Sequence, residues 1–171
     1  MVDLRSLIRD VPGFPRPGIV FRDITALLAD PGGLRAAVDA MADPWREARV
    51  TAVAGIESRG FILGGAIAHE LGAGFIAVRK QGRLPRRTVS QAYQLEYGEA
   101  VLEVHADAVQ TGQRVLVVDD LLATGGTAAA TIALLERVGA EIAGCAFLVE
   151  LDGLDGSHAL GSIGHTSVLV L

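Results

Sequence analysis

The sequence predicts an α/β protein in which helices flank a mostly parallel, twisted sheet, giving three layers. Short apolar runs rich in β-branched residues alternate along the chain with longer segments of helical spacing. The clearest run, at residues 115–118, is apolar at every position, which is typical of a parallel strand buried on both faces. Glycine and aspartate follow several of these runs and indicate turns.

The N-terminal part is predicted to contain a short helix, a short strand and a longer helix. Asp3 can cap the first helix, and the prolines and glycines that follow favour an extended loop before a strand at residues 18–23. Asp30 and Pro31 are typical of an N-cap and a first helical position. The helix that they open is predicted to extend to Glu47.

The rest of the chain repeats a strand–turn–helix order. Helices are predicted after the strands at residues 51–56 and 115–118. The second of these helices ends at Gly139, a typical helix stop. Residues 81–98, the hood segment, interrupt the order with a long irregular stretch of the kind that often forms a functional lid. The predicted strands cover residues 51–56, 75–78, 100–105, 115–118, 142–149 and 167–171.

Composition restricts the classes of protein to be considered. A chain of 171 residues with 50% hydrophobic content fits a single domain, residues 1–171. A formal charge of −5 argues against nucleic acid or a membrane surface as partner. The single cysteine, Cys145, excludes an internal disulfide, and no signal sequence is recognisable, so we expect a cytoplasmic protein. Scattered histidines predict no metal site built by the protein alone.

The most informative segment, residues 115–127, reads VLVVDDLLATGGT. The strand delivers Asp119 and Asp120 to its carboxyl end, where open α/β sheets place ligands. The following turn can direct N–H groups at an anion from a helix N-terminus. Because two carboxylates repel a bare phosphate, the ligand should also carry hydroxyls or a divalent cation, as a phosphorylated sugar with Mg²⁺ does. The turn residues are Ala123, Thr124, Gly125, Gly126 and Thr127. The alternative is an ordinary tight connection.

A second turn, residues 55–60 (GIESRG), also lies between a predicted strand and a helix. Arg59 supplies a fixed cation and the turn supplies N–H donors, a combination suited to pyrophosphate. The alternative is an ordinary turn whose arginine faces solvent. Two competing phosphate motifs, the P-loop and the strand-linked Gly-x-Gly-x-x-Gly, are absent from the sequence.

Two further features indicate an anionic ligand with a planar group. Five of the 15 Lys and Arg residues of this acidic chain gather within nine positions, where they would attract a polyanion. Phe21, in an extended segment after three prolines, could stack on a planar base, although a core position is the alternative. The basic cluster consists of Arg79, Lys80, Arg83, Arg86 and Arg87.

Residues 115–127 resemble the 5-phosphoribosyl-1-pyrophosphate (PRPP) motif of type I phosphoribosyltransferases. GIVFRDIT, ESRGF, the segment from RKQGRLP to LEYG and VVDDLLATGGT also occur in the order typical of adenine phosphoribosyltransferases. The resemblance extends to about Leu151. It implies the type I phosphoribosyltransferase fold with a flexible hood loop, and conversion of adenine and PRPP to AMP and pyrophosphate in purine salvage.

The resemblance also assigns phosphate and sugar contacts. Asp119 and Asp120 would contact the ribose hydroxyls, and residues 123–127 would surround the 5′-phosphate. Mg²⁺ would be bound mainly through PRPP. Pyrophosphate would be held by Glu57, Ser58, Arg59 and Gly60, and by Arg79, Lys80 and Arg83 of the neighbouring subunit, so a homodimer is implied.

The remaining implied roles concern the base and the chemistry. Phe21 would stack on adenine while main-chain groups of Val20 and Arg22 read its edge. Glu96 would act as acid or base on the purine, Tyr97 would close the site, and Arg59 would offset charge on the leaving group. Two alternatives stay open: an enzyme for hypoxanthine, guanine or xanthine, and a PRPP-sensing or purine-sensing regulator on the same fold.

Overall fold

A seven-stranded sheet forms the centre of the part of the chain that the computed structural model describes, residues 2–94 and 99–171. The strands are β1 (Arg9–Pro12), β2 (Val20–Asp23), β3 (Ala52–Ile56), β4 (Gly74–Lys80), β5 (Thr88–Gln94), β6 (Glu99–His105), β7 (Arg114–Leu122), β8 (Glu141–Glu150) and β9 (His165–Val170). The sheet order is β5-β6-β4-β3-β7-β8-β9, and β1 and β2 form a separate antiparallel pair. Strands β4, β3, β7, β8 and β9 pair in parallel, which confirms the predicted mostly parallel sheet. Strands β5 and β6 pair antiparallel at one side of the sheet.

Helices cover both faces of the sheet. They are α1 (Thr25–Ala29), α2 (Pro31–Ala42), α3 (Arg59–Glu70) and α4 (Gly126–Arg137), with 3-10 turns at Arg5–Leu7, Asp43–Trp45 and Gly156–Leu160. Because side chains alternate along a strand, Leu116 and Val118 of β7 pack in the core with α2 and α3, whereas Val115 and Val117 pack in the core with α4. The three predicted layers are therefore confirmed.

The start of α2 agrees with the prediction. Asp30 Oδ1 accepts a hydrogen bond of 2.6 Å from the Gly33 N–H, and Pro31 occupies the first helical position. The helix ends at Ala42 rather than at the predicted Glu47, because Pro44 has no N–H to continue the helical hydrogen bonds. A 3-10 turn, Asp43–Trp45, follows instead.

Two segments differ from the prediction. The first helix is only a 3-10 turn, and Arg9–Pro12 pairs with Val20–Asp23 as a strand. The prediction of an irregular hood segment is wrong for Thr88–Gln94, which pairs with Glu99–His105 along its whole length. The sequence of β5 is largely polar, so its strand character depends on this pairing and on Val89 and Tyr93, which pack against the core beneath α4.

Two further predictions concern single features. Cys145 is fully buried in β8, and burial raises the pKa of its thiol to about 12, so it is a core residue as expected. Within the described ranges, none of the helices combines the length and apolar character needed to cross a bilayer.

Candidate active site

The two turns singled out in the sequence meet at one edge of the sheet. Strands β3 and β7 are adjacent and parallel, with Ala52 opposite Val115 and Gly55 opposite Val118. The turn after β3 (residues 55–60, the arginine loop) and the segment at the end of β7 (residues 119–127, the acidic loop) are therefore neighbours. Arg59 Nε lies 2.9 Å from Asp120 Oδ2, so an ion pair joins the two loops.

The acidic loop encloses a cavity of about 220 Å³. Gly125 is the N-cap of α4 and adopts φ +78°, a left-handed conformation that glycine adopts without strain. A Cβ at this position would overlap the Gly156 carbonyl oxygen, because the 3-10 turn Gly156–Leu160 packs directly against the loop. The cavity is lined by Arg59, Asp119, Asp120, Leu121, Leu122, Ala123, Thr124, Gly125, Gly126, Thr127 and Ala128.

The acid pair belongs to the last part of β7, and Asp119 packs against the start of α3. The Asp120 N–H donates to Asp119 Oδ1 at 2.9 Å, and the Asp120 residue is only 6% exposed. Burial and then the charge of Asp120 raise the pKa of Asp119 well above its usual value. Gly60 makes this packing possible, since a Cβ there would lie 2.8 Å from Asp119 Oδ1.

The arginine loop has a strained backbone at Ser58. Its φ of +80° and ψ of −116° are uncommon for a residue with a Cβ, and such strain often occurs at functional sites. Glu57 is turned toward β4, where its Oε2 accepts hydrogen bonds from Arg79 Nε at 3.0 Å and from the Lys80 N–H at 3.3 Å. The structure thus brings Glu57 together with the basic cluster.

A second cavity of about 430 Å³ adjoins the first. Its walls include residues 18–22, with Phe21 among them, and the Arg59 guanidinium carbon lies 4.7 Å from the centre of the Phe21 ring. The predicted residues Val20 and Arg22 also line it, and Arg22 Nη1 is paired with Asp10 Oδ1 at 2.6 Å. Both cavities are lined by Arg59, Leu121 and Ala123, so they form one continuous site.

Other predicted residues lie apart from these cavities. Arg79, Lys80 and Arg83 are absent from both linings, and Arg86 pairs with Asp107 at 2.5 Å. Glu96 and Tyr97 lie outside the described residues. In the chain that the structure covers, no three His, Cys, Asp or Glu side chains are grouped to hold a metal ion.

Sequence reasoning missed three groups of site residues. Leu151 and Leu154 line the second cavity together with Phe21, and their position after the apolar run of β8 could have indicated this. Tyr93 lies on β5, within the hood segment, and its hydroxyl is 3.4 Å from Thr127 Oγ1. Gly156 carries no sequence feature of this kind, because its role depends on the packing of one turn against another.

Comparisons with known proteins agree with this geometry. The family model of the phosphoribosyl transferase domain matches residues 23–159. A relative from Dinoroseobacter shibae, named adenine phosphoribosyltransferase, is 58% identical over 92% of this chain and 88% of its own length. The crystal structure of adenine phosphoribosyltransferase from Rhodothermus marinus is 54% identical, with a TM-score of 0.95 over 98% of this chain and 96% of that one.

A third comparison is more distant in sequence. The adenine phosphoribosyltransferase from Saccharomyces cerevisiae, crystallised with an imino-altritol bisphosphate and adenine, is 35% identical, with a TM-score of 0.92 over 98% of this chain and 97% of its own. The fold is that of the phosphoribosyltransferases. The chain belongs to the phosphoribosyltransferase family and, within it, to the adenine phosphoribosyltransferases.

Proposed function

We propose that this chain transfers a phosphoribosyl group from PRPP to adenine, giving AMP and pyrophosphate. The observation that carries the proposal is the continuous site of two unlike cavities. One is built from a helix N-terminus and an acid pair, which suits a phosphorylated ribose, and the other from aromatic and apolar side chains, which suits a base. Arg59 is shared by both and stands where base and ribose would meet.

In the second cavity (the base cavity), adenine stacks against Phe21, and Leu151 and Leu154 form apolar walls. Main-chain groups of Val20 and Arg22 read the edge of the base. Adenine presents a donor at its 6-amino group beside an acceptor at N1, and hypoxanthine presents the reverse pattern. A main-chain carbonyl and N–H arranged for adenine are left unpaired with hypoxanthine, which makes discrimination steep.

In the cavity enclosed by the acidic loop, Asp119 and Asp120 accept hydrogen bonds from the ribose hydroxyls. Residues 123–127 surround the 5′-phosphate at the N-terminus of α4, where the helix dipole favours an anion. Arg59 holds Asp120 at 2.9 Å and so keeps the charge of the acid pair partly neutralised before the ligand enters. This explains how two carboxylates can line a site for an anionic substrate.

The reaction breaks the bond from C1′ to pyrophosphate and forms a bond from C1′ to N9 of adenine, whose N9 proton is lost. Positive charge develops on the ribose and negative charge on the leaving group. Arg59 and the main-chain N–H groups of Ser58 and Gly60 hold pyrophosphate, while Glu57 fixes the loop through its hydrogen bond from Arg79. Arg59 also offsets the growing charge of the pyrophosphate. Glu96 accepts or donates the purine proton, and Tyr97 closes the site against water.

Magnesium ion fits this site as a companion of the substrate. Mg²⁺ commonly keeps several waters and binds through substrate phosphates with one or two carboxylates, and Asp119 and Asp120 are the carboxylates at the cavity. When bound, the ion neutralises charge on the pyrophosphate group. The residues of the chain then hold the ribose and the 5′-phosphate in position.

We infer a homodimer as the competent unit, acting in the cytoplasm. Phe75 of β4 and Ile62 of α3 are 42% and 49% exposed, and Phe61 packs edge-on against Phe75 with ring centres 5.7 Å apart. This apolar patch (Phe61, Ile62, Phe75) is adjacent to the basic cluster, since the Arg79 guanidinium lies 5.8 Å from the Phe61 ring. A partner covering the patch receives Arg79, Lys80 and Arg83 near its own site.

The direct test is a panel of bases with PRPP and Mg²⁺, with pyrophosphate release as the measurement. We expect release with adenine and little with hypoxanthine, guanine or xanthine. Preference for another base would replace adenine as the substrate. PRPP binding without turnover of any base would favour a sensing regulator instead, although the relatives named above are adenine phosphoribosyltransferases and do not favour that alternative.

A further inference from the structure

Glu103 of β6 is a buried carboxylate that lies outside both cavities. The residue is 4% exposed and stands opposite Arg79 of β4 in the antiparallel pairing. Its Oε1 accepts hydrogen bonds from the Arg83 N–H at 3.1 Å and the Leu84 N–H at 3.0 Å, and its Oε2 accepts one from Thr88 Oγ1 at 3.3 Å. A charged group is rarely buried unless its partners stabilise it.

The partners of Glu103 form an anion-binding turn. Gly82 adopts a left-handed φ of +79°, and the N–H groups of residues 82–84 converge on the carboxylate. Successive N–H groups in such a turn make a concavity for an anion, and here a side chain of the same protein fills it. Burial raises the pKa of Glu103, but the N–H groups of Leu84, Gly82 and Arg83 outweigh burial, so the pKa lies below its usual value.

The turn is connected to the arginine loop by side-chain hydrogen bonds. Arg79 Nη1 donates to the Arg83 carbonyl oxygen at 3.1 Å, and Arg79 Nε donates to Glu57 Oε2 at 3.0 Å. The Glu57 N–H in turn donates to the Val78 carbonyl oxygen at 2.9 Å. Glu103 therefore sits at one end of a continuous set of contacts that includes the main chain of Arg83 and the side chain of Arg79.

We propose that Glu103 is a positioning residue for pyrophosphate recognition: its carboxylate fixes the turn at residues 82–84 and thereby sets the directions of Arg79 and Arg83. This inference rests on the proposed function, in which these arginines bind the pyrophosphate group. Glu103 itself touches no reactant. A change at Glu103 should act on the pyrophosphate part of the substrate and leave the base, the ribose and the 5′-phosphate unaffected.

The test is Glu103→Gln, which preserves shape but removes the charge that three N–H groups share. We expect the KM for PRPP in the forward direction, and for pyrophosphate in reverse, to rise about tenfold, the size expected for weakening several charge-assisted hydrogen bonds. The KM values for adenine and AMP, and kcat, should stay within about twofold. A role in folding alone would reduce kcat through loss of active enzyme and would not produce this split.

A second variant reaches the same turn by a different atom. A Cβ at Gly82 meets no neighbouring atom, so Gly82→Ala perturbs the left-handed turn without a clash. We expect it to raise the same two KM values, and the double variant to be no worse than the stronger single one, because both act through one turn. Glu141→Gln is the matched control: Glu141 is an exposed carboxylate paired with Arg114 at the N-terminal end of β8.

The outcomes separate this inference from the proposed function. A wild-type protein that is inactive with adenine and PRPP contradicts the proposed function. An active wild type whose Glu103→Gln variant keeps both KM values within about twofold, or raises those for adenine and AMP equally, overturns the inference alone. If Glu103→Gln shows no cooperative melting, Gly82→Ala decides by the same criteria.

Discussion

Asp119 is partly buried beside a second carboxylate, Asp120, and that environment opposes its charge. Burial and the charge of Asp120 raise its pKa well above the usual 3.8. The proposed function needs this arrangement, since the acid pair receives the ribose hydroxyls. A residue kept for binding at the expense of folding is common at active sites.

We predict that Asp119→Asn stabilises the fold at pH 7 by about 1 kcal/mol while weakening PRPP binding. The asparagine oxygen can still accept from the Asp120 N–H, and the repulsion between two carboxylates is removed. Thermal melting measures the first effect and calorimetry with PRPP the second. Intact PRPP affinity would refute the ribose assignment.

The pH dependence of this stabilisation follows from the direction of the shift. Because the folded pKa of Asp119 exceeds its unfolded value of 3.8, the folded state binds the proton more tightly, and wild-type stability falls as pH rises between these two values. The Tm gain of Asp119→Asn should be larger at pH 7 than at lower pH and nearly absent below about pH 4. Asp152→Asn, at an exposed position, is the control and should change Tm little at either pH.

Glu96 carries the chemical step in the proposed reaction. We predict that Glu96→Gln lowers kcat by about 100-fold, a typical loss when general acid–base assistance is removed. The KM for PRPP should change little, because Glu96 acts on the purine proton. Steady-state kinetics with adenine measure both, and unchanged turnover would remove Glu96 from the mechanism.

The turn Gly156–Leu160 and the N-terminus of α4 support each other at the element scale. Gly125 combines φ +78° with a backbone approach to Gly156 that leaves no room for a Cβ. We predict that Gly125→Ala destabilises the fold by about 1–3 kcal/mol, as overpacking usually does, and raises the KM for PRPP. Urea unfolding gives the stability change.

The neighbouring glycine provides the control. A Cβ at Gly126 would lie 3.6 Å from the Gln94 carbonyl oxygen and 3.8 Å from Tyr93, which are ordinary contacts. Gly126→Ala should therefore leave the free energy of unfolding unchanged or slightly higher. Equal destabilisation by Gly125→Ala and Gly126→Ala would contradict this explanation. The cost would then come from the loss of any glycine in the turn and not from the packing of Gly156 against Gly125.

Elements with a local pattern were predictable from the sequence, and elements set by long-range packing were not. The apolar run of β7, the acid pair and the Asp30 cap depend on neighbouring residues, and the structure has them as expected. Strand β5 is polar and forms because β6 pairs with it. Glu103 was also missed, since its partners are main-chain N–H groups whose convergence no sequence pattern encodes.

At the scale of the whole molecule, the apolar patch is the surface that we expect to be covered in the dimer. We predict that Ile62→Asp separates the dimer, because a carboxylate would be buried in an apolar contact. At concentrations where the variant is monomeric, kcat/KM for PRPP should fall at least about tenfold, since Arg79 and Arg83 no longer reach a partner's site. Sedimentation and kinetics at matched concentrations measure both effects.

Val170→Asp is the matched control for this experiment. Val170 is 62% exposed on the edge strand β9, away from the patch, so its replacement should leave both mass and activity unchanged. A wild-type protein that sediments as a fully active monomer would contradict the proposed dimer. The assignments of the acidic loop and the base cavity would stand in that case.

The central claim is that the carboxyl end of the sheet holds both the base and the phosphorylated ribose of one nucleotide. A crystal structure of the protein with AMP tests it most directly. We predict the phosphoryl group at Thr124, Gly125 and Thr127, the ribose hydroxyls at Asp119 and Asp120, and the adenine ring in the cavity of Phe21. A phosphoryl group bound away from the N-terminus of α4 would contradict the account.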